Sequence, residues 1–247
     1  MSFTIIIPAR YQSTRLPVKP LQNIGGKPLI EYTYRQAKAS LAKQVVIATD
    51  HHEIMNVCQS FGAQVVMTDE NCPTGSDRVS LAADLLGISH DECIINLQAD
   101  EPLITNECIT KLYQFHAEND FFMSTLYYTN HNKEAFHDPN TVKTVCDHKQ
   151  QALYFSRSPI PHKEPESFKQ HIGIYAYRFS ALKVFNQLKR CPIETSESLE
   201  QLRALWHGKS IGITSATLKT PPISIDTPSD VNAFKQFLEA KQYDTTT

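Results

Sequence analysis

At 247 residues, with 41% hydrophobic and 20% charged positions, the chain has ordinary globular composition and is long enough for one large α/β domain. A formal net charge of −2 argues against a nucleic-acid binder that works by neutralising many phosphates, and no stretch approaches the roughly 20 apolar residues of a membrane span. Six cysteines are scattered without a C-x-x-C pair, which argues against a zinc site or disulfide framework and points to reduced thiols in the cytoplasm.

Residues 3–7 form an apolar, β-branched run ended by Pro8, which predicts a buried strand rather than the h-region of a signal peptide. The loop that follows carries Arg10, Arg15 and Lys19. Three cations at the carboxyl end of a first strand suit a triphosphate, because ligands of open α/β sheets sit at that edge; the same residues also fit a solvated basic loop. A helix is expected over 28–41 and a strand over 44–49, ending in Asp50, which reads as structural. A short helix follows over 53–61, with Gly62 as its stop. Next come a strand over 63–67, a polar loop to 77, a helix over 78–87 and a strand over 92–98. Four alternations of strand and helix predict right-handed βαβ units and a mostly parallel sheet flanked by helices.

The second half changes character. Strands are expected over 122–129, 141–146, 153–157, 171–178 and 210–216, and helices over 181–189, 196–207 and 229–240. No linker or internal repeat is visible, so the chain reads as one domain, 1–247, with mixed strands at about 122–178 as an inserted lobe.

Chemistry concentrates in a few places. The strand over 92–98 runs into Gln98-Ala99-Asp100-Glu101, an acidic pair where a ligand's metal would be held; magnesium takes one or two carboxylates plus substrate phosphates. Asp226 is a candidate second ligand, although an Asp before a helix is commonly a turn or capping residue. Here Thr227 can cap, with Pro228 at the first helical position. In Thr74-Gly75-Ser76-Asp77-Arg78, small residues allow close backbone approach and Arg78 can reach a phosphate or a base. Gly25-Gly26-Lys27 is not a P-loop, since Pro28 follows the lysine. His171 opens the strand HIGIYAYR and is the histidine singled out for a site. Glu200, Gln201 and Arg203 read locally as the solvated face of the helix over 196–207.

The segments IPARYQSTRLPVKPL, TGSDR, LQADEPLI, DPNTVKTV, ALYFSRSPIP, HIGIYAYR, SLEQLRALWHG and IDTPSDV occur in the order found in the 3-deoxy-manno-octulosonate (Kdo) cytidylyltransferases, which the whole chain resembles. The resemblance implies a nucleotide-diphosphosugar-transferase-like (Rossmann-like) fold, a cytoplasmic homodimer, and CTP plus a sugar acid giving a CMP-sugar and pyrophosphate for lipopolysaccharide core synthesis. It implies Mg2+ as cofactor, with no nucleic-acid or membrane partner. Arg10, Arg15 and Lys19 would cradle the triphosphate, and Ser76, Arg78 and Gln98 would lie at the cytidine. Asp100 and Asp226 would hold the metal, with Asp100 also among the catalytic groups alongside Lys19 and Arg10. Arg157, His171, Glu200 and Gln201 would form the sugar-acid pocket.

Two positions depart from the family pattern: Val18 and Ala99 stand where glycine is usual, and either could cost room or a special backbone angle. The 158–170 connection is also shorter than usual. These departures raise 8-amino-3,8-dideoxy-manno-octulosonate as a substrate in place of Kdo. The rival readings are an acylneuraminate cytidylyltransferase and a non-catalytic nucleotide-sugar sensor; retention of Lys19, Asp100 and Asp226 argues against the sensor.

Overall fold

The computed structural model describes residues 2–13 and 16–244; Arg15 lies outside the described residues. The chain forms two compact units, Met1–Ile88 with Asn96–Asn106 and Pro222–Thr247, and Ser89–Ile95 with Glu107–Pro221. The expected lobe at 122–178 falls wholly within the second. No helix among the described residues is long and apolar enough to cross a membrane.

The first unit opens with β1 (Phe3–Ala9), buried along its whole length. A 3-10 turn over Lys19–Leu21 leads to β2 (Asn23–Ile24) and β3 (Lys27–Pro28), then α1 (Leu29–Lys38), β4 (Gln44–Thr49), α2 (His52–Ser60), β5 (Gln64–Met67) and α3 (Gly75–Leu85). β1 runs parallel to β4, with Ile5 opposite Val45 and Ile7 opposite Ile47, and β4 runs parallel to β5. Continuous burial on both faces is why β1 reads as an unbroken apolar run. Pro8 does not end this strand, contrary to the sequence reading: it pairs with Ala48 one residue before the strand's last position, where little of the ladder remains to be interrupted. The glycine pair Gly25-Gly26 makes the β2–β3 hairpin turn, with φ of 58° and 85°, a type I′ geometry that glycine adopts freely.

β6 (Cys93–Leu97) contributes its first three residues to the second unit and its last two to the first. Beyond it come α4 (Asn106–Glu118), β7 (Met123–Asn130), α5 (Lys133–His137), β8 (Lys143–Cys146), β9 (Ala152–Ser156), β10 (Phe168–Arg178), α6 (Phe179–Gln187), α7 (Pro192–Glu197), α8 (Leu202–Trp206) and β11 (Ile211–Ser215). In the second unit β7 pairs antiparallel with β10 and parallel with β11, while β8 joins β10 to β9 in antiparallel pairs. The mixed strands therefore agree with the sequence reading. α4 and α5 were not anticipated: the buried face of α4 carries Cys108 and His116 beside Ile109 and Leu112, which blurs its apolar stripe.

The expected helix over 196–207 is two helices. Ser198 adopts φ 52° and ψ 47° after α7, and the chain restarts as α8 only at Leu202. The helical periodicity that placed Gln201 and Arg203 on a solvated face does not cross that break, and both are buried.

The chain returns to the first unit with α9 (Pro228–Asp244). Phe234 of α9 joins Leu16, Ile24, Leu29 and Ile225 in one apolar cluster, flanked by Tyr32, Ile223 and Val231. Burial of this set anchors the segment before α9, and with it Asp226.

Candidate active site

Just past β6, the Asp100 carbonyl accepts the Ile225 amide at 2.9 Å, tying the segment ahead of α9 to the strand's carboxyl end. α9 is capped reciprocally. Asp230 Oδ2 accepts the Thr227 amide at 2.8 Å and the Asp226 amide at 3.0 Å, while Thr227 Oγ1 accepts the Asp230 amide at 3.3 Å. This is the arrangement of a capping box, and it leaves the Asp226 carboxylate out of the cap.

That carboxylate meets Lys19, whose Nζ donates to Asp226 Oδ1 at 2.9 Å and, in a shorter contact, to Asp100 Oδ2. Burial lowers the Lys19 pKa, but Asp100 and then Asp226 outweigh it, so the ammonium is held above its ordinary value. Glu101 is different. Burial, reinforced by Asp100, pushes its pKa up to about 8, and Ser224 Oγ donates to its Oε1. Of the acidic pair, burial thus favours the neutral form at Glu101, while Asp100 and Asp226 are the two carboxylates that meet Lys19.

Two carboxylates converging on one cationic centre form a hard-oxygen donor set that fits magnesium, which is bound through few protein ligands and completes its shell with phosphate and water. The described residues hold no cluster of three or more His, Cys, Asp or Glu side chains suited to a metal, so substrate oxygens would have to complete such a shell.

Val18, directly before Lys19, sits at φ 45° and ψ 45°, a left-handed conformation that is strained for a β-branched residue. The glycine of the family pattern would meet no such strain. Ala99 is not in the positive-φ region; its carbonyl accepts Thr33 Oγ1 at 3.0 Å, and its backbone does not require glycine.

Arg10 is exposed at the end of β1. Next to it the Tyr11 amide donates to Asp50 Oδ1 at 2.9 Å, and Arg78 Nη2 donates to Asp50 Oδ2 at 2.8 Å. Arg78 Nη1 donates to Thr68 Oγ1 at 2.6 Å, and the side chain is almost fully buried. Its guanidinium thus fastens the carboxyl ends of β1 and β4 and the loop after β5, and Asp50 is structural as read. α3 begins at Gly75, three residues earlier than expected, because Thr74 Oγ1 caps the Asp77 amide at 3.2 Å. Ser76 and Arg78 therefore lie in the helix's first turn. A Cβ built on Gly75 would lie 3.4 Å from the Gln98 amide and 3.5 Å from Pro8, so the start of α3, the strand end and Gln98 meet. Gln98 Nε2 donates to Asn96 Oδ1 at 2.8 Å. An exposed cation, a helix start and a lysine flanked by two aspartates suit a phosphate-bearing ligand.

The four residues assigned to the sugar acid all lie in the second unit. Arg157 Nε donates to the Glu197 carbonyl at 2.8 Å and Nη1 to the Pro139 carbonyl at 2.9 Å, while Nη2 lies 3.5 Å from the Ser198 carbonyl. His171 Nε2 lies 3.1 Å from Thr125 Oγ1, and its ring packs on Phe155 and Tyr175. Thr125 Oγ1 also lies 2.7 Å from the Ile174 carbonyl, so a hydroxyl donating there accepts from a neutral His171 protonated on Nε2. Burial pushes the His171 pKa down to about 3, in keeping with that neutral ring. Glu200 is half-buried, 3.6 Å from Arg203. Gln201 Nε2 is buried with no hydrogen-bond partner among the described residues, a condition that costs about 1–3 kcal/mol when unrelieved. Sequence reasoning passed over Glu197 and Lys143, both of which bind directly to Arg157. Lys143 lies inside the segment DPNTVKTV, and Glu197 immediately precedes SLEQLRALWHG.

The sequence pattern of the cytidylyltransferase family matches residues 4–211. The 3-deoxy-manno-octulosonate cytidylyltransferase of Pasteurella multocida is 40% identical over 96% of this chain and 99% of its own length. That of Cellvibrio japonicus is 43% identical over 98% and 100%. A solved CMP-2-keto-3-deoxy-manno-octonic acid synthetase in complex with CTP superposes with a TM-score of 0.89 at 34% identity, covering 98% of this chain and 100% of that one. With the similarity running through both units, the chain belongs to the 3-deoxy-manno-octulosonate cytidylyltransferase family.

Proposed function

We propose that this enzyme couples CTP to Kdo or a close relative, giving the CMP-sugar and pyrophosphate. The observation that carries this reading is the convergence of Asp100 and Asp226 on Lys19 at the carboxyl end of β6, in a chain whose relatives bear that activity in their names. The anomeric hydroxyl oxygen of the sugar attacks the α-phosphorus. The new oxygen–phosphorus bond forms as the bond to the β-phosphate oxygen breaks, and the hydroxyl proton leaves to solvent. Lys19 and Arg10 offset the negative charge spreading over the phosphates. Ser76 and Gln98 flank the cytidine at the start of α3, Arg78 keeps that wall in place through Asp50, and Arg157, His171, Glu200 and Gln201 receive the sugar acid. Mg2+, held by Asp100 and Asp226, would supply charge neutralisation and in-line alignment of the triphosphate.

The working enzyme on this reading is a cytoplasmic homodimer whose product feeds the lipopolysaccharide core. The sugar itself is tested by pyrophosphate release with CTP and magnesium, offering Kdo and its 8-amino analogue side by side. Strong preference for the 8-amino sugar would assign the shortened 158–170 connection to specificity; equal turnover of plain Kdo would count against that second reading. Confirmed CTP binding without release from either sugar would overturn the transferase assignment.

A further inference from the structure

We propose that Glu197 is a positioning residue for the sugar-acid site, fixing the turn that presents Glu200 and Gln201 and orienting Arg157. The proposal rests on the assignment of those three residues to the sugar made above.

The turn between α7 and α8 is held in an unfavourable shape. The Ser198 amide donates to Thr195 O at 3.3 Å and the Leu199 amide to Glu194 O at 3.2 Å, the pattern of a Schellman motif. The end of α2 uses the same pattern with Gly62 at φ 82°, whereas here a serine takes the left-handed position, which costs roughly 1 kcal/mol relative to glycine. Such a conformation persists where neighbouring groups over-determine it, and Glu197 supplies part of that constraint.

Its two carboxylate oxygens take donors from the end of β9, with the Tyr154 hydroxyl among them. Oε1 accepts the Ser156 hydroxyl at 2.8 Å and Oε2 accepts the Arg157 amide at 2.8 Å. Its carbonyl accepts Arg157 Nε at 2.8 Å, so Glu197 grips Arg157 through both side chain and backbone. With Nη1 on Pro139, the guanidinium orientation is set and Nη2 is the nitrogen least committed within the protein. Lys143 completes the frame from behind: its buried Nζ donates to the carbonyls of Asp138, Thr141 and Arg157. On the far side of the turn Arg203 clasps Glu194 through two donors, at 2.9 and 2.5 Å. Between these clamps lie Glu200 and Gln201, the latter with its buried amide donor. A donor left without a protein partner serves recognition only if its backbone is fixed, since the penalty of a slightly misplaced buried group is large.

The test is Glu197→Gln in the full-length enzyme, with pyrophosphate release measured against Kdo (or its 8-amino analogue) at saturating CTP, and against CTP at saturating sugar. A glutamine keeps the shape but sets an N–H against one of the donors that Glu197 accepts, the Ser156 hydroxyl, the Arg157 amide and the Tyr154 hydroxyl. The expected result is a KM for the sugar acid raised by about 10-fold, with the KM for CTP within about twofold and the melting temperature lowered by only a few degrees. Ser156→Ala, which removes only the Ser156 hydroxyl from the carboxylate, should move the sugar KM in the same direction by less, and it covers the case in which Glu197→Gln fails to fold. An unchanged sugar KM in a folded variant, or loss of both substrates' affinities in proportion to lost thermal stability, overturns the proposal. Absence of turnover in the unmodified enzyme instead overturns the underlying sugar assignment, and the proposal with it.

Discussion

Lys19 and Asp226 stand 207 positions apart in sequence, yet Lys19 Nζ donates to Asp226 Oδ1 at 2.9 Å. The ammonium also touches Asp100, so one cation neutralises half of a two-carboxylate centre. Replacing it separates two effects. Lys19→Met is expected to lower kcat for pyrophosphate release by about 10²–10³-fold, the scale of losing one preorganised charge partner. In the absence of nucleotide, the two uncompensated carboxylates should bind Mn2+ more tightly than the unmodified protein does, measurable by electron paramagnetic resonance. Unchanged Mn2+ affinity would mean that Lys19 does not compete for that centre.

Val18 carries strain at the same place. Val18→Gly is expected to raise stability by about 1 kcal/mol in urea unfolding, because the left-handed angle carries no Cβ penalty for glycine. No gain would indicate that the surrounding loop, not the residue, sets φ.

Asp50 and Arg78 are a buried pair at 2.8 Å, with 10% and 3% of their side chains exposed. Asp50→Asn strands the Arg78 charge, with an expected loss of about 3–5 kcal/mol, and loosens the Tyr11 amide that Asp50 accepts. Asp50→Asn combined with Arg78→Met should lose less than Asp50→Asn alone. Denaturant midpoints of the single and double variants decide this.

His116 sets an acid limit on stability. Burial, with Arg178 contributing, pushes its pKa down to about 4, whereas an unfolded histidine titrates near 6.5. Above pH 6.5 the ring is neutral in both states and its contribution is fully present. As pH falls from there towards 4 the unfolded chain takes up a proton that the fold refuses, and stability drops by up to about 1.4 kcal/mol per unit. Below 4 the loss levels off. His116→Gln should flatten this segment of the stability–pH curve relative to the unmodified protein, as measured by urea unfolding at pH 7, 6 and 5.

Sequence periodicity located β1, β4 and β6, because a strand buried on both faces must be apolar at nearly every position, and it located β5 as a short apolar run although that strand is only half-buried. It also gave the Thr227 cap and the Gly62 stop, whose chemistry is local. It failed at 196–207, where the helical wheel assumes one axis and Ser198 breaks it. The family resemblance assigned Asp100 and Asp226 to one metal and Lys19 to the triphosphate; that the three side chains meet is seen only in the folded chain. What only tertiary structure decided is the state and partner of each. Burial turns Glu101 towards its neutral form, Asp50 consumes Arg78, and Glu197 commits most of Arg157. Charge burial and hydrogen-bond geometry depend on distances between segments that are remote in sequence, and no local pattern encodes them.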